Sequence, residues 1–161
     1  MRLLPGLTTN QKPQTRNSIL KRLLKIIASV VLLFNAAGAV YGGCSLIAFP
    51  DGSGMGLSTQ LLAHSPFDTF LVPGIILLLV NGVFSLVVFG TLIQKYKYAA
   101  RLVFLQGSLL LGWLVIQVAL IRMLYFLHYV MGAVGLVLVV VGRMLESRKR
   151  KLIYTRQTNE L

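Results

Sequence analysis

Between Leu102 and Gly142 the chain runs with a single charged side chain, Arg122. As one helix that run would measure about 60 Å at about 1.5 Å per residue, roughly twice the hydrocarbon thickness of a bilayer. It must therefore double back, as spans of about 102–121 and 124–142 with a turn near Arg122 to Phe126. Neither Gly nor Pro marks that reversal, which is unusual for so sharp a turn. Two further apolar runs, about 26–49 and 70–93, are each long enough to cross once. Hydrophobic residues make up 56% of the chain and charged residues 12%. A soluble domain carries about twice that charge, and a water-soluble fold could not hide so much apolar surface. The expected fold class is an all-α membrane protein, an antiparallel four-helix transmembrane bundle over residues 18–145.

Charge distribution sets the expected orientation. Six basic residues precede the first span (Arg2, Lys12, Arg16, Lys21, Arg22, Lys25), three lie between the second and third (Lys95, Lys97, Arg101), and six follow the fourth (Arg143, Arg148, Lys149, Arg150, Lys151, Arg156). The two other connections hold Arg122 alone. Fifteen against one puts both termini in the cytoplasm, because short basic loops stay on that side. The formal net charge is +12, yet the basic residues flank apolar runs and form no patch interleaved with aromatics. They suit anionic lipid headgroups, and nucleic acid is not an expected partner.

Residues 1–17 read as a disordered basic tail, and Ser18 as a cap opening the amphipathic entry "SILKRLLK". Residues 146–161 form a basic cytoplasmic tail, with Glu146 spaced to pair with Arg150 one turn on. The lone cysteine, Cys44, excludes an intrachain disulfide. "VYGGC" loosely resembles a lipoprotein cleavage box, but Tyr41 is a poor residue for it and apolar sequence continues to Phe49, so an uncleaved first helix is the favoured reading.

Helices in lipid associate through small residues and interhelical hydrogen bonds. Candidate packing stripes are Gly38-x-x-x-Gly42 and Ala39-x-x-x-Gly43 in the first span, Asn81, Gly82 and Ser85 in the second, Ser108-x-x-x-Gly112 in the third, and Gly132, Ala133 and Gly135 in the fourth. They would serve a compact bundle or a homo-oligomer equally. Asn35 and Asn81 lie about 15 Å and about 21 Å from the flanking Lys25 and Lys95. They are expected to bond across helices, with an acceptor near Trp113.

The outer loop, 50–69, raises the question of chemistry. Gly52-x-Gly54-x-Gly56 lacks the strand, helix and basic residue of a phosphate cradle, and Pro50-Asp51-Gly52-Ser53-Gly54 reads as a turn. Ser58 can cap a short interfacial helix carrying Leu61 and Leu62, and Ser65-Pro66-x-Asp68 resembles a helix start. Pro73-Gly74 should kink the second span. Asp51, His64, Asp68, Gln117, Arg122 and His128 gather at that end as a candidate binding cluster, in which Arg122 is expected to pair with Asp68 or Asp51. His64, Asp68, His128 and Asp51 are metal-ligating types, but Pro66 breaks their helical spacing; no metal or cofactor is implied, and no catalytic residue is assigned.

The pattern Pro50-Asp51-Gly52-Ser53, Ser65-Pro66-Phe67, Leu71-x-Pro73-Gly74 and Asn81-Gly82, followed by Gly112-Trp113 and Ile121-Arg122, resembles small uncharacterised bacterial four-span membrane proteins over about residues 26–142. In topology the chain is also similar to DoxX-like four-helix proteins. The first resemblance implies a multi-pass protein of the bacterial inner membrane and no known activity. The favoured function is a non-enzymatic accessory or lipid-associated membrane protein. The alternatives are an oligomeric small-solute transporter or channel component, and a membrane enzyme using the outer-face His and Asp groups.

Overall fold

A computed structural model describes residues 12–63, 65–122 and 124–158, the side chains of 12–15 and 149–158 apart. The described residues are helical, with no strand. Four helices are long and apolar enough to cross a membrane. In chain order they are α1 (Lys12–Ala48), α2 (Leu71–Ile93), α3 (Ala99–Ile121) and α4 (Phe126–Thr158). Between α1 and α2 lie two 3-10 turns, Ser53–Met55 and Thr59–Leu62.

Helix α1 starts six residues before Ser18, with Pro13 in its first turn, where a missing N–H is harmless. The expected disordered tail is thus helical from Lys12, and its first eleven residues lie outside the described ones. Helix α4 likewise continues to Thr158. Each is about 50 Å or longer, well beyond a bilayer's hydrocarbon. Their charged ends meet, the Arg148 guanidinium donating to Asn17 Oδ1 at 3.1 Å. Arg101 Nε donates to Glu146 Oε1 at 2.8 Å, the ion pair found among the described residues. The pairing expected for Glu146 involves Arg150, whose side chain lies outside the described residues.

The turns that close α2 and α3 use left-handed residues other than glycine. At the end of α2 the Tyr96 N–H reaches Thr91 O at 2.9 Å and the Lys95 N–H reaches Leu92 O, a Schellman arrangement with Lys95 at φ 56°. At the end of α3, Arg122 takes φ 54° and its N–H reaches Val118 O at 2.8 Å. Helix α3 thus ends at Ile121 and α4 starts at Phe126, with Arg122 in the role usually given to Gly.

One core contains Leu24, Ala28 and Leu32 of α1, Val88 and Leu92 of α2, Ala99 and Val103 of α3, and Leu138, Val141 and Leu145 of α4. It fills the end of the bundle near the charged tails, called here the tail end. A smaller cluster of Leu46, Leu62 and Phe70 seats the connection at the opposite, loop end. Backbone approach is closest at glycines. A Cβ on Gly43 would meet Leu78 at 2.7 Å and Gly74 O at 2.9 Å, one on Gly107 would meet Val139 N at 2.7 Å, and one on Gly142 would meet Phe104 N at 2.5 Å. Of the expected stripes, Ala39 and Gly43, Asn81-Gly82-Ser85 and Gly135 are buried, whereas Gly112 and Gly132 face open space and Ala133 is exposed. The stripe of α3 is centred on Gly107, and Ser108 instead turns its hydroxyl to Phe104 O at 3.0 Å.

Helix α2 is irregular, but not where Pro73 stands. Pro73 is the third helical residue, so its absent N–H breaks no helical bond, and Gly74 N–H reaches Phe70 O at 2.8 Å. The irregularity is a π turn over Leu77–Val83, where Phe84 N–H bonds back to Leu79 O. It corrects the expected kink at Pro73-Gly74.

Gly107→Leu should force α3 and α4 apart, at about 1–3 kcal/mol for overpacking. Gly112→Leu, where nothing lies within 4 Å of the added Cβ, should leave stability nearly unchanged. Thermal unfolding of the two variants in detergent checks the contrast; equal melting temperatures would count against the described α3–α4 contact.

Candidate functional site

Four polar side chains are buried together where α1, α2 and α3 meet: Asn35, Asn81, Ser85 and Gln106. Asn35 Nδ2 donates to Ser85 Oγ at 2.8 Å and to the main-chain oxygen of Asn81 at 3.2 Å. Asn81 lies within the π turn. A wider turn offsets the side chains that follow it from the ordinary helical register, and here Asn81, Gly82 and Ser85 are all buried on the α1 side. Gly82 makes the approach possible, since a Cβ there would meet Val40 at 3.0 Å. Gln106 Nε2 then donates to Asn81 Oδ1 over a long 3.4 Å.

This joins Asn35 and Asn81, as expected, and adds two partners. Ser85 was legible as a small packing residue but not as an acceptor. Gln106 lies on a different face of α3 from the expected Ser108 and Gly112 stripe; the repeat Ala99, Val103, Gln106, Leu110 carries the signal. The network is incompletely satisfied. Asn81 Nδ2 and Gln106 Oε1 are buried without a partner, and so is Trp113 Nε1, for which an acceptor was expected. An unpartnered polar atom in an apolar setting is costly.

The loop-end residues do not form the expected ion-paired cluster. Asp51, Asp68 and Arg122 are exposed, and among the described residues no ion pair joins Arg122 to either acid. Arg122 is committed to the left-handed cap of α3, while each aspartate sits in a turn at the surface. His64 lies outside the described residues. Gln117 and His128 are partly buried, and His128 Nδ1 accepts the Tyr125 N–H at 3.0 Å while Tyr125 stacks on its ring. That acceptance leaves the imidazole proton on Nε2, which is buried and unpartnered. Among the described residues no three His, Cys, Asp or Glu side chains come together.

The loop itself is built by short-range turns. Asp51 Oδ1 accepts from the Ser53 N–H at 3.1 Å and the Ser53 hydroxyl at 2.7 Å, with Gly52 at φ 87°. Ser58 caps its 3-10 turn by accepting from Gln60 N–H at 3.3 Å. Ser65 corrects the expected helix start. Its hydroxyl bonds both Phe67 N–H and Phe67 O, a local turn, and α2 begins only at Leu71.

The Ser53 hydroxyl first, and its N–H second, hold the Asp51 carboxyl below the usual carboxylate range. This contribution to loop stability is fully present above the ordinary carboxylate value and disappears as pH falls through the depressed folded-state value. Ser53→Ala should move the Asp51 titration upward, readable by carbon-detected NMR. In the core, the Asn35→Ala and Ser85→Ala double-mutant cycle should show coupling of roughly 0.6 to 2 kcal/mol in micelle unfolding; strict additivity would exclude the bond. Comparison with protein families, curated proteins and solved structures finds no match for this chain.

Proposed function

We propose that the four helices cross the bacterial inner membrane as an antiparallel bundle with both termini cytoplasmic, and that the protein is a non-enzymatic accessory that holds anionic lipid headgroups against its cytoplasmic rim. The observation that carries this reading is the meeting of three basic segments, far apart in sequence, at one end of the bundle. Arg101 of α3 reaches Glu146 of α4, and Arg148 reaches Asn17 of α1. Lys97 lies 4.9 Å from the Tyr98 ring and Arg143 lies 4.4 Å from the Phe104 ring. Rings beneath cations are suited to the interface, where an amphipathic body meets headgroups. The flanks of the helices support the placement in lipid: Val30, Val87, Val115, Ile116, Leu136 and Val140 are each more than half exposed. A surface so apolar is stable facing acyl chains rather than water.

The transporter or channel alternative has less behind it. Asn35 is 2% exposed and Asn81 0%, and both are bonded to neighbouring helices instead of lining a path. An enzyme at the loop end would need acid and base groups held together, whereas Asp51, Asp68 and Arg122 stand apart on the surface.

Mild extraction followed by native mass spectrometry should show phosphatidylglycerol retained over phosphatidylcholine. Replacing Lys95, Lys97 and Arg143 together by glutamine should lower that retention by up to about a hundred-fold, since each cation near an anionic surface contributes roughly 1 kcal/mol. Retention unchanged by the triple replacement would sink the rim reading. Orientation is checked separately: in a Cys44→Ser background, an impermeant maleimide should label Ser53→Cys and not Ser147→Cys in intact cells.

A further inference from the structure

Packing is uneven along the bundle. On α3 the buried residues are Ala99, Val103, Gln106, Gly107 and Leu110, all in its first half. On α4 they start at Gly135. Among the described residues from 111 to 134, which span the α3–α4 turn, none is fully buried. Over the same end, α1 and α2 stay tightly joined through Gly42, Gly43, Leu46, Pro73 and Gly74. The α3–α4 hairpin is therefore only partly covered at the loop end, and its flanks there, such as Val115 and Leu124, are strongly exposed.

The buried polar atoms without partners follow this uneven packing. Gln106, Trp113 and Gln117 stand at i, i+7 and i+11 of α3, so they share one helical face, the face that carries Gln106 into the core. Trp113 Nε1 and His128 Nε2 are buried unpartnered donors of the loop half, and Asn81 Nδ2, with Gln106 Oε1 beside it, lies at its inner limit. Asn81 and Gln106 are 0% exposed. Trp113 Nε1 and His128 Nε2 are both neutral donors and ask for an acceptor oxygen, whereas Asn81 Nδ2 and Gln106 Oε1 lie about 10 Å farther along α3 from Trp113. No lysine or arginine is among them, so the match is a carbonyl or carboxyl oxygen rather than a multiply charged phosphate.

We propose that the loop-end half of the α3–α4 hairpin, facing α1 and α2, is a binding site for the carbonyl end of an acyl chain, with Trp113 and His128 donating at the entrance and Asn81 and Gln106 forming its floor. The inference rests on the membrane reading for the position of the helices, but not on the basic rim. The acyl tail would leave between the exposed flanks of α3 and α4, where the surrounding medium is itself acyl chain. Two sources share this chemistry, the carboxyl of a free fatty acid and the ester carbonyl of a diacyl lipid. Water filling the same donors is the competing occupant.

Trp113 is the sole tryptophan of the chain and lies within the site, so its fluorescence reports occupancy directly. The full chain in nanodiscs of unbrominated phosphatidylcholine is titrated with 9,10-dibromostearate in one arm and with phosphatidylcholine carrying dibrominated chains in the other. The expected result is quenching that saturates in one arm and is reversed by the matching unbrominated compound. His128→Phe and, independently, Gln106→Leu should raise the half-saturating concentration about five-fold or more. The Lys95, Lys97 and Arg143 triple replacement, which tests the rim, should leave it unchanged. Quenching that rises without saturation in both arms, identically in wild type and in whichever of the two variants folds, overturns the proposal and assigns the donors to water.

Discussion

Asn35 is the contact on which the rest of the arrangement depends. Its amide spans from α1 to two groups of α2, Ser85 Oγ and the main-chain oxygen of Asn81. Apolar side chains gain nothing by leaving lipid for one another, so helix association in a membrane relies on such bonds and on close backbone contact. The π turn, the buried Gly82 and the lateral bond to Gln106 all lie within one turn of this amide's partners. Removing Asn35 would leave Ser85 and the Asn81 carbonyl to find other partners inside an apolar core, where each unmet group is costly.

The two ends of the molecule follow different physical rules. At the tail end, large apolar side chains of all four helices interlock and the charged helix extensions are tied by Arg101–Glu146 and Arg148–Asn17. The ion pair is largely exposed on its Arg101 side, so it orients more than it stabilises. At the loop end, glycine contacts bind α1 to α2 while the α3–α4 hairpin is loosely covered. Unmet donors collect in that looser half, as expected where close packing has not selected against them.

How much of this was legible varied with the range of the interaction. Turns resolved by neighbouring residues were readable: the Asp51–Ser53 bonds and the Ser58 cap follow from side chains two positions from the groups they bond. Ser65-Pro66-x-Asp68 misled because its hydroxyl has two local options, a helix cap and a two-residue turn, and Phe70 packing on Leu46 and Leu62 accompanies the second. Pro73 misled because its effect depends on how far inside the helix it falls, and three residues in, it does no harm. Gln106 and the π turn were not legible, since nothing local distinguishes a glutamine facing lipid from one facing an asparagine on another helix.

By itself, then, the sequence determined the number of long apolar helices and the concentration of basic charge at their ends. Hydropathy and charge are sums over consecutive residues, and such sums do not depend on what packs against them. Tertiary structure decided which glycines touch a neighbour and which polar atoms are left unmet in the core. Those outcomes depend on the rotation of each helix about its own axis, a quantity that only contacts between helices can set.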